Sequence, residues 1–215
     1  MKDSSFHSAS TSTVSAFTTT KFAKLKEKIT KLKAILDEQA QASNSDIDEF
    51  AIHQQLDDSE LYVKMIPKDN NNVFRAFSDA LTFSQAKLLY FKKHLIKYCT
   101  KYPNQLNKLL ESVSDETIPA DEYLLGLKKG SVDQEIEMLL LCEIHKCNMS
   151  LLYYGKDLKL QEEFFDLGFD RRRSIRVCHF NDNKFDTVYE GKFMQVAALC
   201  QSVIYSCFDK AIQGE

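Results

Sequence analysis

Between Phe22 and Leu36 the apolar residues Phe22, Leu25, Ile29, Leu32 and Leu36 recur at alternating spacings of three and four. That period puts them on one face of an amphipathic helix over residues 21–40, with a seam two heptads long. The polar face carries six lysines, Lys21, Lys24, Lys26, Lys28, Lys31 and Lys33, with Glu27 among them and Asp37 and Glu38 closing the run. Such a helix can meet a partner helix, a membrane surface or nucleic acid, or it can dock its seam on its own domain. The seam is too short to predict a coiled coil, which needs roughly three or four heptads.

Residues 1–20 are rich in serine and threonine and hold little to bury, so the pattern predicts a disordered tail, and one without the apolar core of a secretory signal. Ala40 to Asp48 reads as a linker, so that residues 21–45 form a helix plus linker ahead of a domain over 46–212. Within that domain the spacing predicts helices over 74–81, with Phe74, Phe77 and Leu81 on one face, and over 83–101, with Leu88, Phe91, Leu95 and Tyr98 on another. Pro103 stops the second, and short helices follow at 106–113 and 120–128 around Pro119. Glu135 to His145 reads as a central apolar helix, Met149–Tyr154, Ser174–Phe180 and Phe185–Tyr189 as strands, and Ala197–Tyr205 as a closing helix. Helices packed around a small sheet define the α+β class.

Composition adds boundaries. With 215 residues, 44% hydrophobic and 27% charged, the chain can enclose one sizeable core. A net charge of −3 implies no specific nucleic-acid partner, and the run Arg171–Arg173 reads as a solvated loop, with an acidic partner or phosphate as the alternative. No apolar run approaches the roughly 20 residues of a membrane-spanning helix. The six cysteines form no disulfide framework, which points to the reducing cytoplasm or nucleus.

Candidate chemistry lies in two separated stretches. Asp69-Asn70-Asn71-Asn72-Val73-Phe74-Arg75 resembles the Asp-Gly-x-Cys-Leu-Phe-Arg signature of the ovarian-tumour (OTU) family of deubiquitinases, with Asp69, Phe74 and Arg75 matching. Asn70 stands at the glycine and Asn72 at the nucleophilic cysteine. Arg176 to Tyr189 is similar to the strand and turn of the family's Asn-His-Tyr/Phe-Asp-x-Val-Tyr motif, with Lys184 at the histidine and Asp186 at the residue that orients it. The central helix and the Ala197–Tyr205 helix also resemble family elements, the latter as in the founding ovarian tumour protein and its nearest relatives. The resemblance implies the papain-like OTU fold, degenerate catalytic positions at Asp69, Asn72, Lys184 and Asp186, and a binding cradle that includes Asn70, Asn71, Val73, Asn183 and Phe185.

A cysteine hydrolase needs a thiolate and an imidazole that activates it and returns a proton to the leaving amine. The amide of Asn72 does neither, since it offers only hydrogen-bond donors and an acceptor. A lysine at 184 beside an acid at 186 is expected to stay an ammonium ion and fail as a base. Asn70 is among the residues that tolerate a left-handed backbone, and Asn72 suits a helix start, where its side chain can cap a free amide.

Other thiols are read as structural. Cys178 and His179 are neighbours on a strand and point to opposite faces. Cys142 sits on the apolar face of the central helix and His145 at its end; with Cys147 they lack a second ligand pair for zinc, so neither metal nor cofactor is expected. The expectation is therefore an OTU-like domain without hydrolytic activity that works by binding ubiquitin or a ubiquitinated protein. The alternatives are residual deubiquitinase activity, or a scaffold that recruits a protein partner through residues 21–40. A germline role follows only from the likeness to the founding member.

Overall fold

The computed structural model describes residues 19–42, 49–113, 118–155, 157–180 and 184–213. The tail predicted over 1–20 lies outside these apart from its last two residues, which open the first helix, and so does the linker from residue 43 onward. Helix α1 spans Thr19–Ala42, α2 Glu49–Asp58, and strand β1 Leu61–Lys64. Helices α3 (Asn72–Thr82), α4 (Leu88–Lys101), α5 (Pro103–Val113), α6 (Ala120–Lys129) and α7 (Gln134–His145) follow, then strands β2 (Asn148–Tyr154), β3 (Leu160–Phe165), β4 (Ser174–Cys178) and β5 (Asp186–Glu190), and helix α8 (Gly191–Gln213).

The sheet has five strands in the order β1-β5-β4-β2-β3. Only β2 and β4 run parallel; the other neighbours are antiparallel. One face carries the main core, in which Phe74 and Phe77 of α3, Leu95 of α4, Leu109 of α5, Leu127 of α6 and Leu139 of α7 pack with Met149, Phe165, Ile175 and Val177 of the strands. On the other face a smaller cluster joins Leu56 of α2 to Leu152, Tyr154, Cys178 and Val188. Together these layers make the expected α+β architecture.

The lysine-rich helix is part of the main core. Leu25, Ile29, Leu32 and Leu36 are all at most 7% exposed, so its seam is covered by the chain itself. Its polar face is tied down as well, by Lys21 to Glu143 at 3.4 Å, Lys31 to Glu163 at 2.6 Å and Lys33 to Asp133 at 2.7 Å. Gln39, near its end, donates to the Phe180 carbonyl at 2.8 Å. A partner meeting residues 21–40 is thus left with the exposed lysine side, not the apolar seam.

Several local expectations change. Pro103 opens α5 instead of merely ending α4, because a proline in the first helical position gives up only an amide that has no intrahelical acceptor. The helix read over 83–101 is broken at its start: Phe83 adopts a left-handed conformation (φ 57°), and extended Ser84 caps a short 3-10 turn, Gln85–Lys87, by accepting from the Ala86 amide. At the other extreme α7 is buried almost all round, with Asp133 accepting from Ile136 N at its start and left-handed Lys146 at its end. Helix α8 leaves the body of the domain: Phe193 stacks on Phe83 with ring centroids 4.9 Å apart, whereas Val196, Leu199, Val203 and Ile204 are exposed.

Candidate functional site

The two motif stretches, far apart in sequence, meet because β1 and β5 are neighbours. Their register pairs Lys64 with Thr187, so the loop after β1 runs beside the residues that precede β5. Asp186 closes this junction: its Oδ1 accepts from the Ile66 amide at 2.6 Å and its Oδ2 from Lys68 Nζ at 2.7 Å. Below it a fully buried Asp79 of α3 accepts from Lys64 Nζ at 2.6 Å, Thr187 Oγ1 at 2.9 Å and Tyr189 OH at 2.6 Å. These bonds lash α3 to both strands and so fix where its first residue sits.

That first residue is Asn72, 1% exposed. Its Nδ2 donates to the Phe185 carbonyl at 2.9 Å and to the Pro67 carbonyl at 3.2 Å, and its Oδ1 accepts from the Phe185 amide at 2.9 Å. Asn72 does not cap α3. The N-cap position is Asn71, whose side chain makes no capping bond, and the Asn72 amide group instead pairs with the peptide of Phe185 as one strand pairs with another.

The preceding loop is braced from outside. Asp69 Oδ1 accepts from the Asn71 amide at 2.9 Å, and the Asn72 amide donates to the Asp69 carbonyl at 3.0 Å. Asp69 Oδ2 takes the Arg75 guanidinium at 2.9 to 3.0 Å, and that contact holds the carboxyl below the usual carboxylate range. These turn bonds shape the loop, so Asn70 needs no left-handed conformation: the non-glycine residues with positive φ among those described are Glu60, Phe83, Lys146 and Leu158. The Asn70 carbonyl accepts from Ser131 N at 2.7 Å, and a Cβ added to Gly130 would stand 2.8 Å from the Cβ of Asn70, too close to be accommodated without movement. Lys92, 8% exposed, donates to Asn71 Oδ1 at 3.0 Å and lies over the Phe74 ring at 5.5 Å; burial lowers its pKa.

The sequence-predicted residues therefore fall into distinct groups. Asp69, Asn72 and Asp186 come together around one junction, and half-buried Lys184 adjoins it through its peptide link to Phe185. The ion pair of Asp186 is made with Lys68, not with Lys184, because the β1–β5 register brings the first loop to it. Val73 and Phe185, expected in the binding cradle, are buried outright at 0% exposure, because Val73 packs into the main core and the peptide of Phe185 is taken by Asn72, so neither faces a ligand. Asn70 is exposed, Asn71 half-buried, and Asn183 lies outside the described residues. Lys68, Lys92 and Ser131 were not anticipated, since each acts across a gap in sequence that no motif spans.

The remaining thiols and imidazoles are held in apolar surroundings. Burial pushes the Cys142 and Cys178 thiols well above their ordinary value and Cys99 up to about 12. Cys178 packs toward Leu152 and Val188, while the ring of His179, at the end of the same strand, meets Phe185 on the other side at 5.2 Å between centroids. His145 does not simply decorate the end of α7. It enters an aromatic cluster with Phe77, Phe91 and His94, stacking on His94 at 5.3 Å, and burial lowers its pKa to about 4.

This arrangement has the fold of an OTU domain. It is similar to the structure of the OTU domain of OTUD1, with a TM-score of 0.52 and 17% identity over 74% of this chain and 99% of that one. No protein-family model matches the chain. Among curated proteins it is 27% identical over 168 residues to UDP-N-acetylglucosamine transferase subunit ALG13 of Mus musculus, and 28% identical over 172 residues to that of Homo sapiens, covering 77% and 79% of this chain. It is also 24% identical to OTU domain-containing protein 4 of Homo sapiens over 67% of this chain. The chain spans only 12 to 14% of the length of these relatives. Among the described residues no helix is long and apolar enough to cross a membrane.

Proposed function

We propose that the chain is a catalytically inactive member of the OTU family that acts by binding ubiquitin or a ubiquitinated protein. The observation that carries this reading is the state of Asn72: it stands at the nucleophile position of the resembling motif, and its amide is occupied by the Phe185 peptide and the Pro67 carbonyl. Lys184 at the histidine position supplies a cation in place of a general base, and Asp186 is engaged by Lys68 and Ile66. Both halves of a Cys–His dyad are thus replaced while the scaffold that would position them is kept. A scaffold of that kind can hold what it no longer cleaves.

The transferase name of the ALG13 relatives belongs to proteins of which this chain matches 14%, and the chain matches an OTU domain-containing protein as well. The shared stretch is accordingly read as the OTU-like part of those proteins, and no glycosyl transfer is ascribed to it. Free cysteines at 99, 142, 147, 178 and 200 support a reducing compartment, cytoplasm or nucleus. A germline role rests on the motif resemblance alone.

The test is revival. Purified natural chain and an Asn72→Cys/Lys184→His variant are incubated with linkage-defined di-ubiquitins and with ubiquitin carrying a fluorogenic leaving group. The reading expects the natural chain to be inert and the variant to cleave at least one substrate. Cleavage by the natural chain sinks it.

A further inference from the structure

Helix α8 carries an apolar stripe that its own domain leaves in water. At its root Phe193 stacks on Phe83 at 4.9 Å and on Tyr189 at 5.9 Å, and Met194 and Ala197 are half-buried. From Ala198 to Ile204 every residue is exposed, so by there the helix has left the body of the domain. Phe193, Val196, Leu199, Val203 and Ile204 are 42 to 66% exposed. With exposed Cys200 they follow one another at steps of three and four, which gathers them on one side of the helix, while Gln195 and Ser202 fall on the opposite side. Contiguous apolar surface of this kind favours association.

The distribution of charge names the partner. Residues 193–208 include no acid and no base; in the sequence the charges stand at the two ends, Glu190 and Lys192 before this stretch and Asp209 and Lys210 after it. A helix that lies on an anionic membrane carries lysines and arginines along its polar face, and this one has none there. A second copy of α8 fits better. A two-fold axis crossing the helix at Cys200 sets Val196 of one copy level with Ile204 of the other, Cys200 with its own counterpart, and position 190 with position 210, an acid with a base. Lys192 comes within one residue of the level of Asp209. We propose that α8 is the dimerisation element of this chain, pairing antiparallel with α8 of a second copy along the stripe from Val196 to Ile204, with Cys200 beside the axis. Such a contact is isologous, the same patch serving both copies, and opposite charges meet at each end while none enters the seam. The 23 residues of α8 span about 34 Å, and because the helix projects, its far end can reach the partner's root, where Phe83 and Phe193 prolong the apolar surface. This inference is independent of whether the domain binds ubiquitin.

The experiment measures the mass of the purified full chain by sedimentation over a concentration series under reducing conditions, beside Leu199→Glu/Val203→Glu. The natural chain should pass from monomer to dimer and stop there. The double variant should associate at least about a hundredfold more weakly, because four carboxylates would enter one apolar seam. Both altered side chains are exposed, so its thermal unfolding should match that of the natural monomer. Orientation is read by cross-linking in a Cys200→Ser/Cys207→Ser background: when Val196→Cys and Ile204→Cys chains are mixed and mildly oxidised, the disulfide should join position 196 to position 204. A natural chain that stays monomeric at every concentration overturns the inference, and so does a dimer that survives Leu199→Glu/Val203→Glu. Links of 196 to 196 overturn the antiparallel arrangement. A monomer that instead binds anionic lipid vesicles overturns it in favour of a membrane surface. The concentration series on the natural chain decides the matter even if a variant folds poorly.

Discussion

The side-chain amide of Asn72 and the peptide of Phe185 hold each other by two hydrogen bonds of 2.9 Å, one donated in each direction. The pairing joins the first turn of α3 to the residue before β5. A group placed where the resemblance expects a nucleophile serves here as a structural clasp. Its removal leaves a buried backbone donor and a buried acceptor unmatched, and each costs about 1–3 kcal/mol. Asn72→Ala should accordingly lower stability by about 2–4 kcal/mol, measured by urea unfolding, with Asn72→Cys little better. A loss below about 0.5 kcal/mol contradicts the clasp.

Asp186 and Lys68 set a second expectation. In the resembling family the residue at the Asp186 position orients the histidine, but here its Oδ2 is taken by Lys68 at 2.7 Å. A histidine restored at 184 must compete for that oxygen. Adding Lys68→Met to Asn72→Cys/Lys184→His should raise hydrolysis of a fluorogenic ubiquitin substrate about tenfold over the double variant, within the range that positioned acid–base groups contribute. An unchanged rate shows that Lys68 does not restrain the site.

Much of this site was legible only in part. Asp69, Asn72, Lys184 and Asp186 could be picked out because short motifs keep fixed spacings along the chain. Lys68 and Lys92 could not, because their partners Asp186 and Asn71 lie 118 and 21 residues away, and only the strand register and helix packing bring them together. The same holds for the fold. Three-and-four spacing reveals α1 and α3, whose apolar faces are buried as expected. Strand β3 gives no such signal: Leu160–Phe165 lacks strict alternation and carries Glu162 and Glu163, which are tolerated at a sheet edge because Arg176 and Lys31 meet them at 3.0 and 2.6 Å. Neither pairing is local.

The burial of the α1 seam makes it a load on stability, not an appendage. Leu32 is 0% exposed in the main core, and large-to-small changes at such sites cost roughly 2–5 kcal/mol. Leu32→Ala should destabilise the whole domain in one cooperative transition. If the variant instead melts α1 alone and leaves the domain's unfolding midpoint unchanged, α1 is not part of this core.

His145 predicts a pH dependence. Its pKa is lowered to about 4 by burial among Phe77, Phe91 and His94, with the charges of His94 and Arg173 adding to the effect. The neutral ring is the folded form, so its contribution is fully present above the unfolded value near 6.5 and is lost as pH falls from there toward about 4. His145→Phe should remove that loss, gaining about 1–2 kcal/mol on the natural chain between pH 7 and pH 4.5 once partial exposure is allowed for. Parallel stability curves for the two proteins across this range contradict the assignment.

The central claim is binding without cleavage. The most direct measurement titrates the purified natural chain against fluorescent mono-ubiquitin and linkage-defined di-ubiquitins, following saturable binding by anisotropy and chain integrity by gel in the same samples. The account predicts saturation with at least one ubiquitin species while every di-ubiquitin stays intact. Absence of saturable binding to all of them, or the appearance of mono-ubiquitin from any linkage, contradicts it.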